Sequence, residues 1–142
     1  MASTHPRSTS IPRIGDVMTP FPYAIDIDRS AGDVGSMLSQ RAIHHLPVTS
    51  NGEVYSVVSA RDLELALARP DAEQWAIGVR DICSRDPYIV DIQVALDVVL
   101  DGMVERQTDC VVVAEDDRVA GIFTMVDACR RFAARLRGDD QP

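Results

Sequence analysis

The stretch that decides the fold is residues 46–58, which read LPVTSNGEVYSVV. Two runs rich in β-branched residues flank the turn signal Ser50-Asn51-Gly52, and this pattern is typical of two antiparallel strands joined by a tight turn. The pattern returns at residues 111–123 as VVVAEDDRVAGIF, with Glu115-Asp116-Asp117 at the turn. The chain therefore contains two copies of one β-hairpin, 65 residues apart.

The repeat extends well beyond the hairpin. A constant offset of 65 residues aligns landmarks on both sides of it without a gap. These pairs share the offset: Asp16 and Asp81, Pro22-Tyr23 and Pro87-Tyr88, Asp26-Ile27 and Asp91-Ile92, Arg41 and Arg106, Asp62 and Asp127. One register held over that length indicates a duplicated unit of about 65 residues.

Each copy begins with a short strand and a helix. Apolar residues beside a proline predict an edge-like strand at 24–27 and again at 89–92. The helix of the first copy starts behind a Ser30…Asp33 capping box, in which each side chain accepts from the other residue's backbone. The second copy has Ala95 at the position of Ser30, so the cap of its helix must come from elsewhere.

Each copy closes with a second helix after the hairpin. Pro70 ends the first of these helices, because the residue before a proline is restricted to extended conformations. Apolar residues at helical spacing are assigned to one face of these helices. They are Leu63 and Leu67 in the first copy, and Ala128, Phe132 and Leu136 in the second. Both copies are therefore predicted to have the order β-α-β-β-α.

One such unit would leave half of its apolar surface bare, because its three-stranded sheet carries helices on one face only. The predicted fold class is therefore α/β (α+β), with two β-α-β-β-α motifs packed sheet to sheet about a pseudo-twofold axis. The expected organisation is a disordered arm at 1–12, motif 1 at 13–70, a linker at 71–78, motif 2 at 79–137 and a tail at 138–142.

Composition narrows the function classes. With 142 residues the chain suits one domain, and it lacks both a membrane-length apolar run and the apolar core of a secretory signal, so a cytoplasmic location is expected. A net charge of −8 argues against nucleic acid or an anionic membrane as a partner. The odd number of cysteines and their spacing predict neither a disulfide framework nor a zinc cluster. Cys83, Cys110 and Cys129 are instead expected to be small buried apolar residues.

Four motifs, in this order and spacing, resemble a tandem pair of cystathionine-β-synthase (CBS) domains, the regulatory unit called a Bateman module. They are residues 17–20 (VMTP), 41–48 (RAIHHLPV), 59–62 (SARD) and 121–127 (GIFTMVD). The resemblance covers roughly residues 14 to 136. It implies ligand binding in two clefts between the motifs, commonly of AMP, ADP, ATP or S-adenosylmethionine. The resemblance does not imply catalysis, and it implies a homodimer that packs through exposed helices. No metal and no required cofactor are expected.

In this family the Ser/Thr and Asp of the [S/T]-x-x-D motif face the ribose and the nearest phosphate. By position, the resemblance implies a first cleft formed by Ser59, Arg61, Asp62, His45, Cys83, Tyr88 and Asp109. It implies a second cleft formed by Thr124, Asp127, His44, Ile43, Met18 and Tyr23. A carboxylate can accept from both ribose hydroxyls, and a helix N-terminus offers N–H groups to a phosphate.

The two copies diverge at these clefts. Val126 stands at the position of Arg61, so the first cleft has an arginine for phosphate that the second lacks, and we expect it to favour more phosphates. Ser56 stands at the position of Gly121, where a side chain is expected to crowd a ligand that approaches the backbone.

Simpler interpretations remain open for each of these residues. Ser59…Asp62 and Thr124…Asp127 are also ordinary capping boxes. His44-His45 does not form a metal site by spacing, and His45 either lines a cleft or is a packed, hydrogen-bonded histidine. The last helix ends with Arg130, Arg131, Arg135 and Arg137, which suit a helix C-terminus better than a nucleic-acid patch.

The sequence thus predicts a stand-alone regulatory module that binds an adenosine-containing ligand and signals through conformation or self-association. The alternative is a structural or protein-interaction module of the same fold that has lost ligand binding. An enzyme is not expected, because the chain has no nucleophile elbow, no phosphate-binding P-loop and no dinucleotide fingerprint. The regulated protein is not identified by this sequence.

Overall fold

The computed structural model describes residues 10–20 and 23–139. Most of the predicted arm, part of the predicted tail and the aligned Pro22 lie outside the described residues. The elements in chain order are α1 (Ile14–Val17), β1 (Thr19–Pro20), β2 (Ile25–Asp26), α2 (Ala31–Arg41), β3 (His45–Ser50), β4 (Glu53–Ser59), α3 (Ala60–Leu67), α4 (Val79–Ile82), β5 (Ile89–Asp91), α5 (Leu96–Arg106), β6 (Cys110–Glu115), β7 (Arg118–Thr124) and α6 (Met125–Leu136).

These elements form two sheets, and the predicted fold class is confirmed. Strands β2, β3 and β4 form the sheet of motif 1, in which β2 is parallel to β3 and β3 is antiparallel to β4. The sheet of motif 2 repeats this order with β5, β6 and β7. It gains a fourth strand, because β1 pairs antiparallel with β7.

The leading helix of each copy packs into the other motif. Ile14 of α1 is fully buried in the motif 2 core with Val99 and Phe123, and its backbone N–H donates to the Val94 carbonyl at 2.7 Å. Val79 of α4 is likewise fully buried in the motif 1 core. The two motifs are therefore joined by exchanged segments as well as by the linker.

The N-terminus of α2 is capped by its own side chain, whereas the N-terminus of α5 is capped by a distant part of the chain. The predicted Ser30 box at the start of α2 is present, with the Asp33 N–H donating to Ser30 Oγ at 3.1 Å. Helix α5 has no side-chain cap at Ala95. Its first N–H group, from Leu96, donates instead to the Pro12 carbonyl at 2.9 Å. The missing cap is thus supplied by the chain that leads into α1.

Both predicted hairpins are confirmed by strand pairing. In motif 1 His45 pairs with Ser59, and in motif 2 Cys110 pairs with Thr124. All four central turn residues have positive φ: Asn51, Gly52, Asp116 and Asp117. Such turns match the right-handed twist of the strands that they join.

The sheets pack against each other through a central apolar layer. Val57, Cys110, Val112 and Ile122 are buried there, between the cores that each motif forms with its own helices. Each sheet therefore buries both faces, one under its helices and one against the other sheet. This arrangement covers the apolar surface that a single motif would leave bare.

The apolar face predicted for the last helix is largely exposed. Ala128 of α6 packs toward the motif 2 core, but Phe132 is 62% exposed and Leu136 is 72% exposed. The three residues lie on one side of the helix, as predicted from their spacing, but only Ala128 is turned toward the core. Four residues turn a helix 40° beyond a full turn, so Leu136 is rotated about 80° from Ala128 around the helix axis. Helix α3 ends at Leu67, three residues before Pro70, and is one turn shorter than α6.

Candidate functional site

A cleft of about 630 Å³ opens where the first residues of β3 and β6 meet the start of α3. Its walls come from both motifs, because these two strand ends lie side by side near the pseudo-twofold axis. The lining residues are His44, His45, Val57, Ser59, Ala60, Arg61, Asp62, Ser84, Gln107, Thr108, Asp109 and Cys110. Six of the thirteen residues expected to bind ligand are among them: His44, His45, Ser59, Arg61, Asp62 and Asp109.

The Ser59…Asp62 motif forms a reciprocal capping box on the cleft wall. The Ser59 N–H donates to Asp62 Oδ2 at 2.8 Å, and the Asp62 N–H donates to Ser59 Oγ at 3.0 Å. One carboxylate oxygen is therefore committed to the backbone. The other has no hydrogen-bond partner among the residues that the structure describes. It is the acceptor that a ligand hydroxyl could use.

The N-terminus of α3 offers fewer donors than its position suggests. The Ala60 N–H donates to the His44 carbonyl at 2.8 Å, and the Asp62 N–H is bound by Ser59. The Arg61 N–H is the one donor of the first three without a partner in the described part of the chain. An anion in this cleft would therefore depend on the exposed Arg61 guanidinium as well as on the helix dipole.

His45 and Asp109 face each other across the junction of the two motifs. The distance from His45 Nε2 to Asp109 Oδ1 is 3.6 Å, and the carboxylate is the more exposed of the two side chains. Asp109 is the repeat equivalent of His44, and Cys110 is that of His45. The same segment of each copy therefore lies at the junction. A contact between the two motifs therefore lies on the wall of the cleft.

Cys110 lines the same cleft but is almost fully buried in the layer between the sheets. Burial raises the pKa of its thiol above the ordinary range, and the negative charges of Asp109 and Asp127 raise this pKa further. The thiol is therefore neutral at physiological pH, and it contributes to the cleft as an apolar surface.

The divergence of Ser56 and Gly121 has a structural cause. Ser56 is fully buried, and its hydroxyl donates to the Ser84 carbonyl at 2.6 Å, which ties the segment after α4 to β4. In motif 2 a Cβ at Gly121 would lie 2.6 Å from the Thr19 carbonyl oxygen, so glycine lets β1 pair closely with β7. Ser56 is not among the residues that line this cleft.

The motif 2 counterpart of the Ser59 box has similar geometry. The Thr124 N–H donates to Asp127 Oδ2 at 2.8 Å, and the Asp127 N–H donates to Thr124 Oγ1 at 3.3 Å. Neither residue lines the cleft described above. Val126 is exposed beside this box and supplies no positive charge there.

The remaining predicted site residues pack elsewhere. Tyr23 lies under the Arg41 guanidinium at 4.3 Å, and Tyr88 lies under that of Arg106 at 4.6 Å. Cys83 and Ile43 pack against the motif 1 core, and Met18 packs against the motif 2 core beside Gly121. His44 was assigned to the second cleft, but the structure places it on the wall of the first.

Four polar or thiol residues of the cleft were not anticipated: Ser84, Gln107, Thr108 and Cys110. The signal for three of them was available in the repeat. Residues 42–45 and 107–110 are equivalent, and a twofold axis beside one segment brings its equivalent next to it. Ser84 had no such signal, because its position depends on the exchange of α4.

Neither a metal-type cluster nor a membrane-length apolar helix occurs among the described residues. No cluster of three or more His, Cys, Asp or Glu side chains with the geometry of a metal site occurs among residues 10–20 and 23–139. No helix within those ranges combines the length and hydropathy that crossing a membrane requires.

The paired motifs define a tandem-repeat module with a cleft at the junction of its halves. The family model described as "CBS domain" matches residues 14–69 and again residues 79–134. The chain therefore belongs to the CBS domain family, as the sequence resemblance indicated, and it carries two copies of the domain in tandem. No curated protein sequence matches the chain.

Solved structures of CBS domain pairs share this fold. The CBS domain pair of protein MJ0100, in complex with 5′-methylthioadenosine and S-adenosyl-L-methionine, is 23% identical with a TM-score of 0.74, and the alignment covers 88% of this chain and 98% of that one. CBSX2 in complex with AMP is also 23% identical, with a TM-score of 0.72 and the same coverage. Hypoxic Response Protein I, with two coordinated zinc ions, is 18% identical with a TM-score of 0.74, covering 84% and 98%.

Proposed function

We propose that this chain is a regulatory module that binds an adenosine-containing ligand in the cleft beside Ser59–Asp62 and has no catalytic activity of its own. The observation that carries the proposal is the Asp62 carboxylate, which is held by the Ser59 backbone and keeps one oxygen without a partner among the described residues. A ribose supplies two adjacent hydroxyl donors for such an acceptor. Two solved structures of the same fold contain AMP or S-adenosyl-L-methionine as bound ligands, which supports this ligand class.

Arg61 gives this cleft a phosphate partner that the second cleft lacks, but the other charges on its wall favour a ligand with few phosphates. Arg61 is its one guanidinium, whereas Asp62 and Asp109 are carboxylates. A triphosphate would bring several negative charges toward Asp109 with a single arginine to offset them. We therefore expect AMP, or a nucleoside without phosphate such as S-adenosylmethionine, to bind this cleft more tightly than ATP.

The direct test is calorimetry on ligand-stripped protein with AMP, ADP, ATP, S-adenosylmethionine and NAD. Replacing Asp62 by alanine should weaken the binding of AMP and of adenosine alike, by about tenfold or more, because both carry the ribose. The change Arg61→Ala should weaken AMP binding by a similar factor and leave adenosine unchanged, since only AMP carries a phosphate. Unchanged AMP affinity in both variants would contradict the assignment of Asp62 and Arg61 to the ligand site.

The chain provides a matched control for the Asp62 substitution. Asp33 closes a capping box of the same geometry at the start of α2, away from the cleft. Asp33→Ala and Asp62→Ala should each lower the free energy of unfolding by about 1 kcal/mol, the usual effect of losing a helix cap. Only Asp62→Ala should lower ligand affinity. If Asp33→Ala lowers it equally, the effect comes from stability and the ligand role of Asp62 is wrong.

The output of the module is proposed to be a change of conformation or of self-association, because a ligand at the junction contacts both motifs. Such a ligand can shift the arrangement of the motifs only by its difference in affinity for the two arrangements. A homodimer and a cytoplasmic location, with no nucleic acid or membrane as a partner, remain predictions.

The second candidate is an interaction module of the same fold without a ligand. It is favoured by one observation, the large apolar side chains that α6 exposes. If none of the five ligands tested by calorimetry binds at millimolar concentration, this function replaces the first.

A further inference from the structure

An ion pair crosses the junction of the two motifs on the wall of the cleft. His45 Nε2 lies 3.6 Å from Asp109 Oδ1. This distance suits an ion pair but is too long for a hydrogen bond, so the contact gains strength only when the imidazole is charged. Histidine is the side chain that ordinarily changes its charge between about pH 5 and pH 8. The net charge of this wall therefore depends on pH.

Both members of the pair are held by backbone contacts next to a capping box. His45 pairs with Ser59 in the β3–β4 ladder, and the Asp109 carbonyl accepts from the Met125 N–H at 2.8 Å. The His45 side chain is 18% exposed, whereas that of Asp109 is 75% exposed. The imidazole is thus the more shielded of the two from water. A ligand anion that approaches Arg61 in this cleft also meets the Asp109 carboxylate.

The repeat does not produce a second pair of this kind at the junction. The equivalents of His45 and Asp109 are Cys110 and His44. Cys110 is a neutral thiol, because burial raises its pKa, and it therefore gives His44 no opposite charge. His44 is exposed and forms no ion pair within the described part of the chain. The two adjacent histidines therefore differ in their electrostatic surroundings.

The other charged or titratable groups around the imidazole come from several elements. They are the neighbouring His44, Arg61 and Asp62 at the start of α3, Cys110 in β6, and Asp127 at the start of α6, which acts on Cys110. Arginine and aspartate side chains ordinarily keep their charge between about pH 5 and pH 8. The histidines are therefore the groups of this wall whose charge changes in that range.

We propose that His45 and Asp109 determine the specificity of this cleft through a proton, so that an adenosine ligand with a phosphate binds more tightly when His45 is protonated. This inference rests on the proposed function and adds its regulation by pH. When His45 is neutral, the Asp109 carboxylate repels a phosphate that approaches Arg61. When His45 is protonated, it offsets the charge of Asp109 and adds a positive charge to the wall. Adenosine carries no charge, so its affinity is independent of this proton.

Calorimetry on the full chain with AMP and adenosine, at about pH 5.5 and about pH 8, tests the proposal. Each variant is compared with the wild type at one pH, because the AMP phosphate also titrates in this range. At about pH 5.5, His45→Gln should bind AMP about fivefold more weakly than the wild type, the size expected for a partly exposed charge pair. At about pH 8 these two proteins should bind AMP equally.

The change Asp109→Asn should have the opposite sign. At about pH 8 it should bind AMP about fivefold more tightly than the wild type, because the repelling carboxylate is gone. Adenosine affinity should change less than about twofold in both variants, which shows that the cleft is intact. Weaker AMP binding by Asp109→Asn at about pH 8 would contradict the proposed repulsion.

The matched control is His44→Gln, which removes the neighbouring histidine. This variant should keep the wild-type change in AMP affinity between the two pH values. A greater loss of that change in His44→Gln than in His45→Gln assigns the proton to His44 and overturns the proposal. Equal AMP affinity of the wild type and His45→Gln at both pH values also overturns it, while AMP binding itself still supports the proposed function. If neither AMP nor adenosine binds at millimolar concentration, the proposed function is wrong and this inference falls with it.

Discussion

Cys110 illustrates how a single residue on the cleft wall acquires its character from burial. Its sulfur lies between the two sheets, and its position is equivalent to that of His45, which faces the opening. A thiolate there would be without water and close to Asp109 and Asp127, so ionisation is doubly disfavoured. Burial raises the pKa of Cys110, and the folded protein therefore holds a neutral thiol where an ordinary cysteine would begin to ionise.

This raised pKa predicts a loss of stability in alkaline solution. Below about pH 8.5 the Cys110 thiol is neutral in both states, so it makes no contribution to the pH dependence. Above that value the thiol ionises only in the unfolded chain, and the free energy of unfolding should fall by about 1 kcal/mol near pH 9.5. Urea unfolding of the reduced protein at a series of pH values measures this slope.

The variant Cys110→Ala should lose most of that alkaline slope. The exposed Cys129 provides the control, because Cys129→Ala should keep the slope of the wild type. The chain contains no lysine, so few other side chains titrate in this range. An identical slope in all three proteins would show that the buried thiol is not its source.

At the scale of elements, the two central helices end in a strained conformation. Ala42 closes α2 with φ 52° and ψ 45°, and Gln107 closes α5 with φ 53° and ψ 41°. Both lie in the left-handed region, which glycine adopts readily and residues with a Cβ do not. Both also lead directly into the strand ends that line the cleft, since β3 follows Ala42 and β6 follows Gln107. Each of these helices thus ends in a strained residue just before the strand that contributes to the cleft.

Glycine at the first of these positions should relieve the strain. We expect Ala42→Gly to raise the free energy of unfolding by about 1 kcal/mol, as measured by urea unfolding. Ala68 gives the matched control, because it caps α3 in the right-handed region with φ −73°. There glycine brings only added freedom to the unfolded chain, so Ala68→Gly should destabilise by about 0.5 to 1 kcal/mol. Destabilisation by Ala42→Gly would contradict this account.

At the scale of the whole molecule, the exchange of leading segments makes one cooperative body from two repeats. Helix α1 begins motif 1 in the chain but completes the core of motif 2, and α4 begins motif 2 but completes the core of motif 1. Neither motif would retain its full core without a segment from the other. The two repeats should therefore unfold together, although each has its own sheet and helices.

A substitution in one core should accordingly be detected in the other. Ile14→Ala removes a fully buried side chain from the motif 2 core and should lower the free energy of unfolding by about 3 kcal/mol. Trp75 is the only tryptophan, and it lies against α2 of motif 1, so its fluorescence reports on the other motif. In the Ile14→Ala variant, the urea midpoint measured by Trp75 fluorescence should decrease by the same amount as the midpoint measured by circular dichroism.

The reciprocal variant is Val79→Ala, which removes a buried side chain of α4 from motif 1. It should also shift both signals together, by the smaller amount that a valine contributes. If Trp75 fluorescence keeps its wild-type midpoint in Ile14→Ala while the circular dichroism shows an earlier step, the motifs unfold independently and the cooperative account is wrong.

The sequence by itself determined the duplicated unit, the two hairpins, the capping box at Ser30 and the family. These features depend on interactions between residues a few positions apart, such as turn chemistry at Asn51-Gly52, and on a repeat that can be read directly. Local signals placed Ser59, Arg61 and Asp62 at one helix start, and the family resemblance assigned them to a cleft.

Only the tertiary structure decided which parts of the two copies meet. Ser84 lines the cleft because α4 crosses into motif 1, and His44 joins Asp109 and Cys110 because the pseudo-twofold axis passes beside them. The packing of α6 on motif 2 also decides which side of that helix is buried, and this packing leaves Phe132 exposed to solvent. Contacts between residues far apart in sequence depend on how whole elements pack. Because the hydrophobic effect is non-directional, an apolar pattern in the sequence does not specify which element will cover it.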